Sequence, residues 1–167
     1  LQLDFIRKVK SNSFCAHVVD YDIDCVGAKV ADEFHCLSID DVEGVLALAS
    51  TLDLAGIHTV ANELGNITAN YVAERLGLPC NGYITALNTT DKARMKVVLA
   101  ENGLESPKAY IIKSKKEIQG LTLSLPVIVK ASDRSAGRGV SLASTKQEVE
   151  ECYDLAYDAS YNKVVLI

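Results

Sequence analysis

The stretch that decides the fold is Pro126–Val140, which reads PVIVKASDRSAGRGV. Its first part, Val127–Ala131, is apolar except for Lys130 and predicts a buried strand that carries one lysine at its polar end. A polar loop follows, in which Gly137 and Gly139 flank an arginine. Small residues let backbone N–H groups approach an anion closely, and such turns form anion-binding nests. The stretch therefore predicts either a phosphate-binding strand and loop or, more plainly, a hairpin with a flexible polar turn.

Two common nucleotide motifs do not describe this stretch. The P-loop pattern GxxxxGK[ST] is absent, and the lysine precedes the glycines instead of following them. The dinucleotide pattern GxGxxG is absent as well. A phosphate site at this loop would therefore belong to another class of nucleotide-binding fold.

The predicted elements change in character after Asn81-Gly82. Before that point, strands alternate with helices, which predicts an α/β domain with a mostly parallel sheet covered on both faces. After it, the pattern predicts an α+β unit in which helices lie on one face of a small antiparallel sheet. The predicted helices are 3–10, 42–52, 62–76, 92–101, a short one from Ser114, and 146–159, and the predicted strands are 14–19, 34–37, 57–60, 110–112, 127–131, 140–143 and 163–167.

Composition limits the class of protein. The chain has 167 residues, 49% of them hydrophobic and 23% charged, which is typical of a folded globular chain and excludes disorder. No apolar run approaches the roughly 18 residues of a membrane helix, and a net charge of -5 argues against nucleic-acid binding. The chain starts without Met and stops on the apolar run Val164–Ile167, so both ends look cut.

The cysteines and histidines predict neither a disulfide framework nor a metal centre. The five cysteines are odd in number and form no CxxC pair, so a reducing cytoplasm is the expected location. Cys15 and Cys36 lie in short apolar runs and are predicted to be buried. The histidines lack metal-ligand spacing and are predicted to be ordinary packed or surface residues.

Three segments of the chain resemble the ATP-grasp superfamily, in the right order and at plausible spacing. Lys130 with the loop 132–139 resembles the strand-borne lysine and glycine-rich loop that fold over the phosphates of ATP. The segment Asn88-Thr-Thr-Asp-Lys92, followed by a helix, resembles the basic residue that opens the central region. The segment 69–82 resembles the closing helix of the Rossmann-like domain in biotin carboxylase, carbamoyl-phosphate synthetase and glycinamide ribonucleotide synthetase.

The resemblance implies three regions. Residues 1–85 would be a Rossmann-like pre-ATP-grasp domain without its first strand, and 86–113 would be a linking helix and strand. Residues 114–167 would be the lid subdomain of the ATP-grasp fold, which stops before the subdomain that binds magnesium. The Mg²⁺ ligands and the hinge that bonds adenine would then lie outside this chain.

The resemblance also implies a set of ATP-binding residues. Lys130 would contact the α- and β-phosphates or adenine, and Lys92 would reach the phosphates from the neighbouring subdomain. Four backbone N–H groups of the loop would cover the β- and γ-phosphates, a serine would add its hydroxyl, and Arg138 would tie the loop down. The segment 133–136 is poorer in glycine than the family pattern, so the loop is expected to be stiffer. The implied set is Lys92, Lys130, Ser132, Ser135, Ala136, Gly137, Arg138 and Gly139.

The front domain would help to hold the acceptor substrate. Asp20 ends a predicted strand, and Asn62 and Glu63 lie at a strand-to-helix turn, where ligands of open α/β sheets bind. The plainer interpretation is that Asn62 caps a helix and Asp20 is solvated.

The function implied by the resemblance is ATP-dependent ligation of a small-molecule carboxylate to an amine, with ATP and Mg²⁺ as cofactors and an acylphosphate as intermediate. The chain alone is expected to be inactive, and the resemblance allows a homodimer. One alternative is a carbamoyl-phosphate synthetase or biotin-carboxylase relative that uses bicarbonate. The other is a nucleotide-binding module without turnover.

Overall fold

The structure is a computed structural model that describes residues 2–167. It divides into two compact units, one up to Ala86 and one from Leu87 onward. No helix among the described residues is long and apolar enough to cross a membrane.

The first unit has a short parallel sheet with helices around it. Strands β1 (His17–Asp20) and β2 (Glu33–Cys36) pair in parallel, with His17 opposite Glu33 and Asp20 opposite Cys36. Val45, Ala49 and Val72 form the buried core of this unit. The helices of the unit are α1 (Gln2–Ser11), α2 (Val42–Ala49), α3 (Glu63–Leu76) and α4 (Tyr83–Thr90), the last of which spans the division point.

Local signals fix the ends of α3. The Asn62 side chain accepts a hydrogen bond from the N–H of Gly65 at 2.9 Å, which caps the start of the helix. Gly77 ends it in the left-handed conformation, with φ of 68°. The sequence therefore predicts this helix nearly to the residue.

Three sequence predictions for the first unit are wrong. The predicted strand 57–60 is irregular chain, although Ile57 packs against the core, because a segment rich in β-branched residues can pack without a strand partner. Helix α4 has no counterpart among the predicted helices. Cys15 and Cys36 are exposed because the first precedes β1 and the second ends β2.

The second unit has a four-stranded antiparallel sheet in the order β3-β6-β4-β5. Its strands are β3 (Ile111–Ile112), β4 (Val127–Ala131), β5 (Val140–Ala143) and β6 (Val165–Leu166). Its helices are α5 (Lys92–Glu101), a 3-10 helix (Lys115–Gly120) and α6 (Lys146–Ala159). The predicted hairpin of β4 and β5, the helix at 92–101 and the helix at 146–159 are confirmed.

The two faces of the β4–β5 hairpin differ in burial. Val129 and Ala143 are fully buried in one core with Val149 and Tyr153 of α6. Side chains alternate along a strand, so Lys130 and its neighbours two positions away point to the other face. That second face is the surface on which the candidate site is built.

Candidate functional site

Lys130 is a half-buried lysine without a counter-ion. It lies on β4 between Val140 of β5 and Leu166 of β6. Burial, followed by the positive charges of Lys92 and Lys96, lowers the pKa of Lys130 from its ordinary value. Within residues 2–167 its amine has no hydrogen-bond or ion-pair partner. A cation held among other cations without a carboxylate is a site for an anion.

Lys92, at the start of α5, joins this helix to the loop after β4. Its backbone N–H donates to the Ser132 carbonyl at 2.8 Å. Its side-chain Nζ donates to the Arg134 carbonyl at 2.7 Å and lies 3.5 Å from the Ser132 carbonyl. Asp91 caps the helix by accepting from the N–H of Ala93 at 2.8 Å. Lys92 therefore lies beside the loop, where the sequence predicted a phosphate-binding lysine, but its amine is bonded to backbone oxygens.

The far half of the loop is a tight turn, closed by the hydrogen bond from the Arg138 N–H to the Ser135 carbonyl at 3.2 Å. Ala136, Gly137 and Gly139 all have positive φ, at 54°, 73° and 65°. Across the described chain, the N–H groups of Ala136 and Gly137 find no acceptor, and Gly137 is surrounded by open space. Such N–H groups are free to bind phosphate oxygens.

The near half of the loop is fixed by a polar network. The Asp133 carboxylate accepts from the Ser160 hydroxyl at 3.0 Å and from the N–H groups of Tyr161 and Asn162 at 3.2 and 2.6 Å. The Asn162 amide donates to the Ser132 hydroxyl at 2.9 Å and to Asp91 at 2.8 Å. Ser132 is 0% exposed. The network therefore holds the loop base rigid, and no pattern in the sequence points to Asn162.

Arg138 ties the loop to itself, as the sequence predicted. Its Nε donates to the Ser135 carbonyl at 3.2 Å, and its terminal NH2 donates to the Ser135 hydroxyl at 3.3 Å. The hydroxyl of Ser135 is thus engaged by Arg138.

One expected role of Ser132 needs correction. Its N–H donates to the Val164 carbonyl at 3.0 Å, so it is not free to bind a phosphate. The reason is that Ser132 directly follows β4 and continues the pairing of that strand with β6. The other loop N–H assignments stay predictions.

An exposed apolar surface adjoins Lys130. Ile128 and Leu142 face each other across β4 and β5, and Val140 lies directly opposite Lys130. These three side chains are exposed. The alternation of residues along β4 and β5 could have identified this face from the sequence once the opposite face was assigned to α6.

The three substrate candidates of the first unit have ordinary structural contacts. Asp20 accepts from the N–H of Asp22 at 2.9 Å, and Asn62 caps α3. Glu63 is exposed in the first turn of α3. Among the described residues, no hydrogen bond or ion pair joins Asp20 to Asn62 or Glu63. Their role in substrate binding stays a prediction.

A separate open groove of about 440 Å³ runs along α5. Arg94, Val97 and Val98 line it together with Ile111 and Lys113. These helix positions lie on the side of α5 opposite to Lys92 and Lys96. The groove therefore opens on the side of α5 away from these two lysines, although Asp91 and Val164, which bond the base of the loop, also line it.

Substitution of the two loop glycines by alanine should destabilise the fold to different extents. A methyl group added at Gly139 would come within 2.8 Å of the Ala159 Cβ, whereas one at Gly137 would meet nothing within 4 Å. Both positions have positive φ, which costs roughly 1 kcal/mol for alanine. We expect Gly139→Ala to lower the free energy of unfolding by about 2 kcal/mol, against about 1 kcal/mol for Gly137→Ala. Urea unfolding measures both, and equal losses would contradict the close packing of Gly139.

The environment of Lys130 predicts a pH dependence of stability. Its pKa is lowered from 10.5 in the folded chain, so the unfolded chain binds more protons between the folded pKa and 10.5. Stability of the wild type should therefore rise relative to Lys130→Met as pH increases through that window. Urea unfolding at stepped pH tests this, with Lys116→Met as a control at an exposed lysine. A difference that stays flat or falls would show that Lys130 is not desolvated.

Comparison with known proteins identifies the second unit. The sequence model of the RimK-like ATP-grasp domain matches residues 89–166. Cyanophycin synthetase from Geminocystis herdmanii is 33% identical over 81 residues, which cover 46% of this chain and 9% of that protein.

Solved structures resemble nearly the whole chain. The L-amino acid ligase of Bacillus licheniformis superposes with a TM-score of 0.76 at 19% identity, over 97% of this chain and 40% of that one. The biotin carboxylase domain of the Hydrogenobacter thermophilus 2-oxoglutarate carboxylase gives 0.73 at 21% identity, over 99% of this chain and 41% of that one. The chain thus spans about two fifths of these structures and a smaller share of the cyanophycin synthetase. The chain has the fold of part of an ATP-grasp enzyme, and its residues 89–166 match the RimK-like ATP-grasp domain.

Proposed function

We propose that this chain supplies phosphate-binding elements of an ATP-dependent carboxylate–amine ligase. The observation that carries the proposal is the half-buried Lys130, which lies among cations without a carboxylate partner and directly precedes a loop with free N–H groups. The triphosphate of ATP provides the negative charge that this arrangement lacks.

Each part of the site has a separate task toward ATP. Lys130 binds a phosphate oxygen as a point charge at the end of a rigid strand. Ala136 and Gly137 add backbone N–H groups that need no reorganisation during phosphoryl transfer. The apolar face of Ile128 and Leu142 offers a surface against which a planar base can pack.

Lys92 changes partners in this proposal. Its amine now bonds the Arg134 carbonyl at 2.7 Å, close to the amine of Lys130. An incoming phosphate would attract it more strongly than a neutral carbonyl does. Binding of ATP would thereby exchange the bond of the Lys92 amine to the loop carbonyl for a bond to phosphate, while the backbone bond from Lys92 to Ser132 keeps α5 attached to the loop.

Over residues 2–167, no group of three Asp, Glu, His or Cys side chains is arranged to hold a metal ion. Mg²⁺ binds oxygen ligands, carboxylates above all. We therefore assign no step of the reaction to a metal held by this chain and propose that its ligands come from outside the chain.

The comparisons support ligation of a carboxylate to an amine as the reaction class. The relative with 33% identity is a synthetase, and one structural neighbour is an amino acid ligase. In the proposed reaction, a carboxylate oxygen attacks the γ-phosphorus, ADP leaves, and an acylphosphate forms. An amine then attacks the acyl carbon and inorganic phosphate leaves. The charge that develops on the phosphates is the charge that Lys130 and the loop neutralise.

The direct test is release of ADP by the protein that carries this chain, measured against a panel of carboxylates and amines. We expect ADP release that requires both a carboxylate and an amine. Release with bicarbonate in place of the organic carboxylate would instead favour the carboxylase alternative. Binding of ATP without turnover on any pair would favour a nucleotide-binding module.

Two further properties belong to the proposal. Five free thiols support a reducing, cytoplasmic location. Small-molecule partners, with no nucleic acid or membrane, fit the net charge of -5. A homodimer stays a prediction.

A further inference from the structure

A thiol and two imidazoles lie in a line in the first unit, in a part of the chain that the ATP proposal does not use. The Cys15 Sγ lies 3.7 Å from the Nε2 of His17. The Nδ1 of His17 lies 3.1 Å from the Nε2 of His35, and the two rings are nearly parallel. A nucleophile, a base and a group that orients the base therefore lie side by side.

The hydrogen bonds of this line can run in one consistent direction. The Cys15 thiol donates to Nε2 of His17, so the neutral ring of His17 carries its proton on Nδ1. That N–H then donates to Nε2 of His35. When His17 takes the thiol proton, its Nδ1–H keeps the same bond to His35. The pair can therefore accept a proton without moving its rings.

The charged groups around His17 favour this transfer. The Asp32 carboxylate accepts from the N–H of Ala16 at 2.9 Å, between Cys15 and His17 in the chain, and lies 2.7 Å from the amine of Lys10. Glu33 lies opposite His17 in the parallel sheet. The Asp32 carboxylate also interacts electrostatically with His17, so a proton taken up by His17 would lie near this carboxylate.

We propose that Cys15 is a reactive thiol and a modification site for small electrophiles, disulfides among them. His17 accepts the thiol proton, and the Cys15 sulfur uses its electron pair to attack one sulfur of the disulfide. The S–S bond breaks, a mixed disulfide forms on Cys15, and the other sulfur leaves as a thiolate. The site is independent of the ATP proposal, because it lies in the other unit.

The other four cysteines lack this arrangement. Cys36 is exposed, but its thiol donates to the carbonyl of Tyr21 at 3.5 Å, a group that takes up no proton. Cys80 is exposed, and its thiol has no hydrogen-bond partner among the described residues. Cys25 and Cys152 are half-buried. Cys36 and Cys80 are therefore matched controls for exposure within the same protein.

The test is labelling with iodoacetamide at neutral pH, followed over time by peptide mass spectrometry. In the folded protein, we expect Cys15 to react about tenfold faster than Cys36 and Cys80, because His17 is in place to accept the proton of its thiol. In guanidinium chloride the three rates should become similar. Oxidised glutathione should form its mixed disulfide mainly on Cys15. Equal rates for the three cysteines in the folded protein would overturn the proposal.

Substitution of His17 distinguishes loss of the base from loss of the fold as the cause of a slower Cys15 reaction. We expect His17→Gln to bring the rate of Cys15 down to that of Cys80 while the rate of Cys36 stays unchanged. Cys36 reports on the strand pairing because it lies in β2 beside His35. A Cys15 rate that survives His17→Gln with Cys36 unchanged would show that His17 is not the base. If the variant loses its fold, the comparison of folded and denatured wild type still decides the proposal.

Discussion

Replacement of Lys130 by alanine should weaken ATP binding at least about tenfold. The charge-assisted bond from a lysine to a phosphate contributes on the order of 1.5–3 kcal/mol, which exceeds the 1.4 kcal/mol of a tenfold change. Lys130 is held on β4, and Lys92 reaches the loop from the start of α5, so the charge of Lys92 does not replace that of Lys130. Titration calorimetry with ATP on the protein that carries this chain measures the change.

The control for this prediction is Lys116→Ala, an exposed lysine in the same unit. It removes the same charge away from the loop, so it should leave ATP affinity unchanged. The Lys130→Ala variant should keep its fold, because holding the charge of Lys130 in its half-buried position costs free energy in the free protein. A weaker affinity for ATP would then report on binding and not on unfolding. An affinity for ATP that is the same in both variants would exclude the loop as the phosphate site.

Replacement of Asn162 by alanine should lower the free energy of unfolding of the second unit by about 3 kcal/mol. The Asn162 amide bonds the buried Ser132, the buried Ser160, the N–H of Val164 and the carboxylate of Asp91. Its removal leaves buried donors and acceptors unpaired, and each such group costs roughly 1–3 kcal/mol. Urea unfolding measures the loss.

A matched control is Asn102→Ala at the end of α5. Its amide donates to the Val98 carbonyl at 2.8 Å, and this hydrogen bond is exposed. The free energy of unfolding should therefore fall by less than about 1 kcal/mol. Similar losses for Asn162→Ala and Asn102→Ala would mean that the polar network does not hold the loop base.

The secondary structure of the second unit could be read from the sequence because its signals are local. Asp91 and Thr145 cap helices that start at the next residue, and Pro126 precedes a strand that starts at Val127. The strand predicted at 57–60 failed for the opposite reason. Strand pairing depends on a distant partner, and a segment rich in β-branched residues such as 57–60 can pack against a core without one.

The site was predictable in its position and less so in its contacts. Lys130, Lys92 and the glycines do lie around one loop, since a strand and a glycine-bearing turn define it locally. Ser132 donates its N–H to the Val164 carbonyl, and its hydroxyl accepts from the Asn162 amide. Both contacts join residues about 30 positions apart in the chain. No local pattern contains that information. The same holds for the contact of His17 with His35.

The central claim is that the loop 133–139 binds the phosphates of ATP. Hydrogen–deuterium exchange of this loop, measured with and without ATP, tests it most directly. If the free N–H groups of Ala136 and Gly137 bind phosphate oxygens, ATP should slow exchange in the loop, whereas adenosine should not. Saturation with ATP that leaves exchange of the loop unchanged would contradict the account.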